Sequence, residues 1–178
     1  YKNVNRLDEL IRFNMLRQRK IKNGMTLSLS DFIAPVETKI EDYIGAFAVT
    51  AGINAEDLAK KYEDSNDDYN SIMIKTLADR LAEALAELMH QKVRKEWGFP
   101  DDKNVTNEDL IREKYRGIRP AFGYPACPNH EEKVKLFKIL EAEKIGMKLT
   151  ENYSMTPAAS VSGLYFSNKK SKYFSIEL

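Results

Sequence analysis

The chain has 178 residues, 43% of them hydrophobic, which is enough for one domain with a real core and too many for a disordered tail. Its 28 Lys and Arg against 27 Asp and Glu leave a formal charge of +1, so no global field draws it to nucleic acid or to an anionic membrane, and a partner must be recognised locally. A single cysteine, Cys127, excludes an internal disulfide framework, no apolar run approaches the roughly 20 residues of a membrane span, and no signal peptide opens the chain, so a cytoplasmic location is expected.

Apolar side chains at Leu7, Leu10, Ile11, Met15 and Leu16 predict a first helix over residues 6–20, ended by Gly24. Leu27, Leu29 and Phe32 alternate with polar residues, and Tyr43 to Thr50 is an apolar run bounded by Asp42 and Gly52; both read as strands, joined by a polar connection from Ala34 to Glu41. Asn54 or Ala55 opens a short helix through Leu58 and Tyr62, with Glu56 and Asp57 in its first turn. The clearest element is a helix over residues 68–96. Its Tyr69, Ile72, Met73, Leu77, Leu81, Ala84, Leu85, Leu88, Met89 and Val93 recur on one apolar face until Gly98 and Pro100 stop it. Asn107 begins another helix that ends near Tyr115 or Gly117, and residues 131–144 form a further one on Val134, Phe137, Ile139 and Leu140, closed by Gly146. Val161 to Ser167 and Ser171 to Ile176 read as a terminal hairpin around Asn168-Lys169-Lys170. This order predicts a single α+β domain: a mainly antiparallel twisted sheet, a long central helix and several flanking helices.

Between the last two helices lies Gly117-Ile118-Arg119-Pro120-Ala121-Phe122-Gly123-Tyr124-Pro125-Ala126-Cys127-Pro128-Asn129-His130. Its prolines fix φ and remove backbone donors, so it reads as a rigid, extended surface loop that presents a guanidinium and a phenol to a small ligand. Familiar chemistries are absent. His90, His130 and Cys127 fall short of a structural zinc set; Cys127 lacks the acid partner of a Cys–His nucleophile and reads as a small packed residue; no glycine-rich phosphate cradle occurs. Taken singly, Glu83, Glu87 and Glu113 are ordinary solvated carboxylates, Tyr173 and Phe174 ordinary hairpin aromatics, and Arg119 a tie for its own loop.

Together these residues resemble the C-terminal activation domain of cobalamin-dependent methionine synthase, which binds S-adenosylmethionine. The matching segments include Asp31-Phe32-Ile33-Ala34-Pro35, Asp42 to Val49, Asp67-Asp68-Tyr69, Lys75 with Ala78 to Ala84, the proline-rich loop, Lys148-Leu149-Thr150-Glu151, Val161-Ser162-Gly163, Tyr165-Phe166-Ser167 and Ser171-Lys172-Tyr173, in order from about residue 28 to the end. The family signature RxxxGY falls on Arg119, Gly123 and Tyr124.

The resemblance implies that Arg119 holds the methionine carboxylate, a task for a planar bidentate donor. It implies that Tyr124 stands near the methyl group and the corrin, and that Gly123 lets backbone approach the ligand. Tyr173 and Phe174 would be a second contact segment, Glu83 and Glu113 would lie near the sulfonium, and His130 would touch the corrin. The implied activity is reactivation: cobalamin, held by another domain or subunit, is reduced by flavodoxin or a flavoprotein reductase and methylated from S-adenosylmethionine, while this chain positions donor and acceptor. The implied partner is the cobalamin-binding domain, with no nucleic acid and no membrane.

The family's domain is longer on its N-terminal side, where an Asp helps to bind the methionine amino group, and it continues past Leu178 with a terminal helix. Residues 1–178 therefore read as a C-terminal portion whose pocket would lack one wall. Phe122 stands where relatives commonly carry proline. The alternative is an interaction module that keeps the fold without the ligand and docks a corrinoid protein or flavodoxin. An independent methyltransferase would need a glycine-rich strand-to-helix turn, which the sequence lacks.

Overall fold

In the computed structural model, which describes residues 8–21 and 24–177, the segment after Ile44, with Phe47, Val49 and Thr50 among small residues, makes strand β1 (Gly45–Thr50). It pairs antiparallel with β4 (Ser160–Tyr165), Gly45 opposite Tyr165 and Thr50 opposite Ser160. Alternation along the strands sends side chains to two cores. Phe47, Val49, Val161 and Tyr165 pack with Leu85, Ala86, Met89, Val93 and Trp97 of the long helix α2 (Asp68–Glu96) and its C-cap. On the other side Ala46, Leu164 and Phe166 join Leu29, Phe32, Ile118, Phe122, Cys127 and Leu136. Helix α1 (Ala55–Asp64) lies against α2, and α3 (Asn107–Ile111) and α4 (Glu132–Leu140) flank the loop. A second antiparallel pair, β2 (Lys148–Leu149) with β3 (Met155–Thr156), completes an α+β architecture. Among the described residues no helix is long and apolar enough to cross a membrane.

Helix α2 occupies the predicted residues, opened by Asp67, whose carboxylate accepts the Asn70 N–H at 3.1 Å. The face it buries matches the predicted one only in part. Ala78, Ala82, Ala86, His90 and Arg94, spaced by four, point inward, whereas Ile72, Leu77 and Leu81 are half exposed or more. Alanines let the helix approach the ribbon closely, and the large apolar groups at Leu85, Met89 and Val93 flank the contact instead.

The chain termini depart from the sequence expectation. Residues 8–21 contain no helix, and Leu7 lies outside the described residues. Ile11, Phe13 and Met15 are half-buried and alternate with exposed Arg12, Asn14 and Leu16; Phe13 lies 5.4 Å from the Phe122 ring, and the Gln18 N–H donates to the Leu27 carbonyl at 2.9 Å. Long-range packing at period two overrides the helical spacing. The strand expected at Leu27 to Phe32 is a 3-10 turn over Leu29–Phe32, because Ser28 and Asp31 form a reciprocal capping box that satisfies the backbone locally.

The terminal hairpin does not form either. The turn exists, with the Ser171 N–H on the Asn168 carbonyl at 3.0 Å, but residues 171–177 make no strand. The second edge of β4 is already occupied: Ile118 and Phe166 exchange two backbone hydrogen bonds of 3.0 Å, and the Leu164 N–H donates to the Pro120 carbonyl at 2.9 Å. The tail crosses the loop instead, the Ile176 N–H on the Pro125 carbonyl at 2.8 Å and Phe174 edge-on to Phe32. Helix α3 stops at Ile111, short of Tyr115, and Glu113 turns left-handed at φ 53°. In α4 it is Leu136, not Val134, that is buried with Phe137, and the helix breaks at Glu141 before a 3-10 turn, Ala142–Ile145, closed by Gly146.

Gly163 is what lets the loop sit on β4. A Cβ there would lie 2.6 Å from the Pro120 oxygen and 2.9 Å from Phe47 Cε1. Gly163→Ala is expected to destabilise the domain by about 1–3 kcal/mol, measured as a fall of several degrees in Tm by calorimetry.

Candidate functional site

The loop's first residues act as an edge strand, and this fixes where the arginine goes. Ile118 points into the core, so Arg119, the next residue, points to the opposite side, toward α2. Its Nη2 lies 3.3 Å from Glu87 Oε2 and its Nη1 3.9 Å from Glu83 Oε2, while its backbone N–H donates to the Tyr173 hydroxyl at 3.1 Å. Burial works against the guanidinium charge, but the neighbouring Tyr115 and Glu87 outweigh it and raise its pKa. Beyond Pro120 the loop is folded by turns rather than extended: the Tyr124 N–H donates to Ala121, the Cys127 N–H to Tyr124 and the Gly123 N–H to Cys127. Phe122, Ala126 and Cys127 face inward and Tyr124 faces out, 65% exposed. The Cys127 thiol donates to the Ala121 carbonyl, and burial pushes its pKa up to about 12, so it is a packing residue and not a nucleophile.

Glu83, Glu113, Arg119, Tyr124, Tyr173 and Phe174 line one cleft of about 560 Å³, with Pro120, Ala121, Pro125, Ala126 and Val161 as its apolar wall. That volume suits a small molecule. An adjoining hollow of about 470 Å³ shares Tyr173 and Phe174 but is otherwise bordered by residues such as Arg19, Lys20, Lys172 and Glu177, with Lys20 and Glu177 paired to each other. Gly123 and His130 are not among the residues lining the cleft. Gly123 adopts φ 96°, and the space its Cβ would take is filled by the His130 ring, so its missing side chain admits the imidazole rather than a ligand. His130 Nδ1 lies 3.0 Å from Nζ of the buried Lys133, whose amine also donates to the Tyr153 carbonyl at 3.1 Å.

The sequence matches the family described as "Vitamin B12 dependent methionine synthase, activation domain" over residues 1–178. The chain belongs to this activation-domain family. It is also similar to a solved structure described as the MetH reactivation domain bound to AdoHcy, with 52% identity and a TM-score of 0.95 over 98% of this chain. The match spans 55% of that solved chain, about half its length.

Beneath the cleft, this activation domain carries a buried charged cluster that sequence reasoning had left outside the site. Arg94 is 2% exposed; Asp101 clamps it with two hydrogen bonds of 2.7 Å, and its guanidinium lies 3.8 Å from the centre of the Tyr115 ring. The Tyr115 hydroxyl donates to Glu87 at 3.1 Å, and Glu87 Oε1 is 3.7 Å from Arg94. Burial first, then the Glu87 charge, raises the Tyr115 pKa. The available signals were Glu87 one turn after Glu83 and Tyr115 one turn's length before Arg119. Alone, neither spacing separates a buried carboxylate from a solvated one: Glu83 is more than half exposed, Glu87 only 18%.

His90 sits in this cluster, stacked on Tyr165 at 4.9 Å and edge-on to Tyr115 at 5.0 Å. Burial, then the charges of Arg94 and Arg119, lowers its pKa from 6.5 to about 3, with Asp101 opposing. The unfolded chain therefore binds a proton below about pH 6.5 that the folded chain refuses, so this contribution to stability is complete above that pH and lost as pH falls toward 3. His90→Phe keeps an aromatic stack without the titration. Urea unfolding at pH 6.5 and 4.5 is expected to show an acid-induced loss about 2 kcal/mol smaller in the variant than in the wild type.

Proposed function

We propose that this chain binds S-adenosylmethionine in the cleft and presents its methyl group for reductive methylation of a cobalamin held elsewhere in methionine synthase. The observation that carries this reading is the pattern of charge. S-Adenosylmethionine has one carboxylate, one ammonium and one sulfonium; the lining has one guanidinium, Arg119, and two carboxylates, Glu83 and Glu113, so each ligand charge has a counterpart. Tyr124, Tyr173 and Phe174 add aromatic faces suited to an adenine or a sulfonium. The AdoHcy in the similar solved domain is the thioether that such a ligand becomes once its methyl group has left, which supports the same assignment.

Cobalamin would supply the reduced metal that accepts the methyl group, with electrons from a flavodoxin or flavoprotein reductase. This chain's residues anchor the carboxylate, hold the cationic end and keep the donor in line. The buried, turn-folded loop contributes rigidity, and no side chain needs to form a covalent bond.

Calorimetry with S-adenosylmethionine is expected to show binding that Arg119→Ala weakens about tenfold or more, since a charge-assisted bidentate contact is lost. Undiminished binding by that variant would overturn the anchor. No binding at millimolar ligand, with association to a corrinoid protein or flavodoxin intact, would favour the docking-module reading.

A further inference from the structure

We infer that Glu87 is a positioning residue: it sets the Arg119 guanidinium so that its remaining donors meet the carboxylate of the bound ligand. The inference rests on the ligand reading above and extends it to a residue outside the cleft lining. Arg119 is only partly exposed, its side chain 19% accessible, and its Nε–H has no hydrogen-bond partner among the described residues. Of the two carboxylates near it, Glu83 is 3.9 Å away on a mostly exposed side chain, whereas Glu87 is 3.3 Å away and largely buried. An exposed, rotatable carboxylate cannot fix a guanidinium well; a buried one can.

Glu87 is itself held in place. Its Oε2 accepts the Tyr115 hydroxyl, and its Oε1 faces Arg94, which Asp101 grips bidentately beneath the Tyr115 ring. Asp101, Arg94, Glu87 and Arg119 thus alternate in charge from the interior to the cleft. A site whose anchoring group is oriented beforehand loses less on binding than one that must order it. A purely structural Glu87 would balance buried charge and affect every ligand alike. A positioning Glu87 acts only through Arg119 and therefore only on ligands that carry a carboxylate.

The test compares S-adenosylhomocysteine, which has the carboxylate, with 5′-methylthioadenosine, which lacks the amino-acid portion, by calorimetry on the full chain. Glu87→Gln keeps the side chain's shape and a hydrogen-bond acceptor for Tyr115 but removes the charge. It is expected to weaken S-adenosylhomocysteine about tenfold, to leave methylthioadenosine within about twofold, and to cost nothing further in an Arg119→Ala background. Tyr115→Phe, which keeps both charges but removes the hydroxyl's hydrogen bond to Glu87 and its interaction with Arg119, is the second variant and is expected to give a smaller loss with the same ligand dependence. Equal losses for both ligands, losses that add to Arg119→Ala, or no loss in either variant would overturn the inference. If Arg119→Ala weakens S-adenosylhomocysteine and Glu87→Gln does not, this inference alone fails. If the wild type binds neither ligand, the functional reading fails and takes the inference with it.

Discussion

A guanidinium with 2% exposure is the constraint from which most of this domain's interior follows. Moving such a charge out of water costs several kcal/mol even after relaxation, so Arg94 needs opposite charge close beside it. Asp101, just beyond the end of α2, supplies the bidentate carboxylate, and this pins the chain that leaves the helix back against its last turns. Tyr115 covers the guanidinium face, which fixes the segment entering the proline-rich loop. Glu87 Oε1 adds a second carboxylate 3.7 Å from Arg94 Nη2, while Arg94 Nη1 has no hydrogen-bond partner among the described residues, and through its other oxygen Glu87 reaches Arg119. The same enclosure, by burial first and then by the charges of Arg94 and Arg119, denies His90 a second proton, so it serves as an uncharged aromatic plate between Tyr115 and Tyr165.

The second constraint is geometric. A strand has two edges, and β4 gives one to β1 and the other to Ile118–Pro120. Pro120 takes part through its carbonyl alone; the N–H it lacks would have faced Leu164, so the pairing ends there. Once Ile118 is committed to the core, the alternation of the backbone sends Arg119 to α2 without any further instruction. Glycines supply the clearance: Gly117, at φ 92°, lies where a Cβ would strike the Phe166 carbonyl, and Gly163 lies under Pro120. The position of the arginine is thus a property of the sheet, which is the most rigid support the fold offers for a site on a loop.

What the sequence made legible follows the range over which each feature is decided. The span of α2, the start of α1 and the strand at Gly45 are set by local propensity, caps and breakers such as Asp67, Gly98 and Pro100, and the structure matches them. The buried face of α2 was legible only at Leu85, Met89 and Val93, because an alanine stripe continued by a neutral His90 and a charged Arg94 carries less hydrophobic signal than Ile72, Leu77 and Leu81 on the exposed side. The fate of residues 8–21 and 171–177 depends on partners distant in sequence: Phe122 for Phe13, and Pro125 and Arg119 for the tail. Nothing local to those segments states that the β4 edge is already taken. The cleft residues were legible as a set only through their resemblance to a family. Glu87 was visible as a carboxylate, but its burial depends on Arg94 and Tyr115, which no spacing rule connects.

The same contacts give the cleft two ends of different character. At one end the Arg119 side chain sits over a buried chain of alternating charges; at the other Tyr124 stands 65% exposed at a turn held by backbone hydrogen bonds. In the proposed reading the carboxylate belongs at the fixed end and the methyl group at the open end, where a second macromolecule can approach. An anchor needs surroundings that resist rotation and a transfer point needs access, and no single environment provides both. The edge strand at Ile118–Pro120 resolves the conflict by running from the interior to the surface within a few residues, and the tail, whose Tyr173 hydroxyl accepts the Arg119 N–H, lines a further side. The tail is therefore a wall of the site, and its failure to pair as a hairpin is what makes it available for that role.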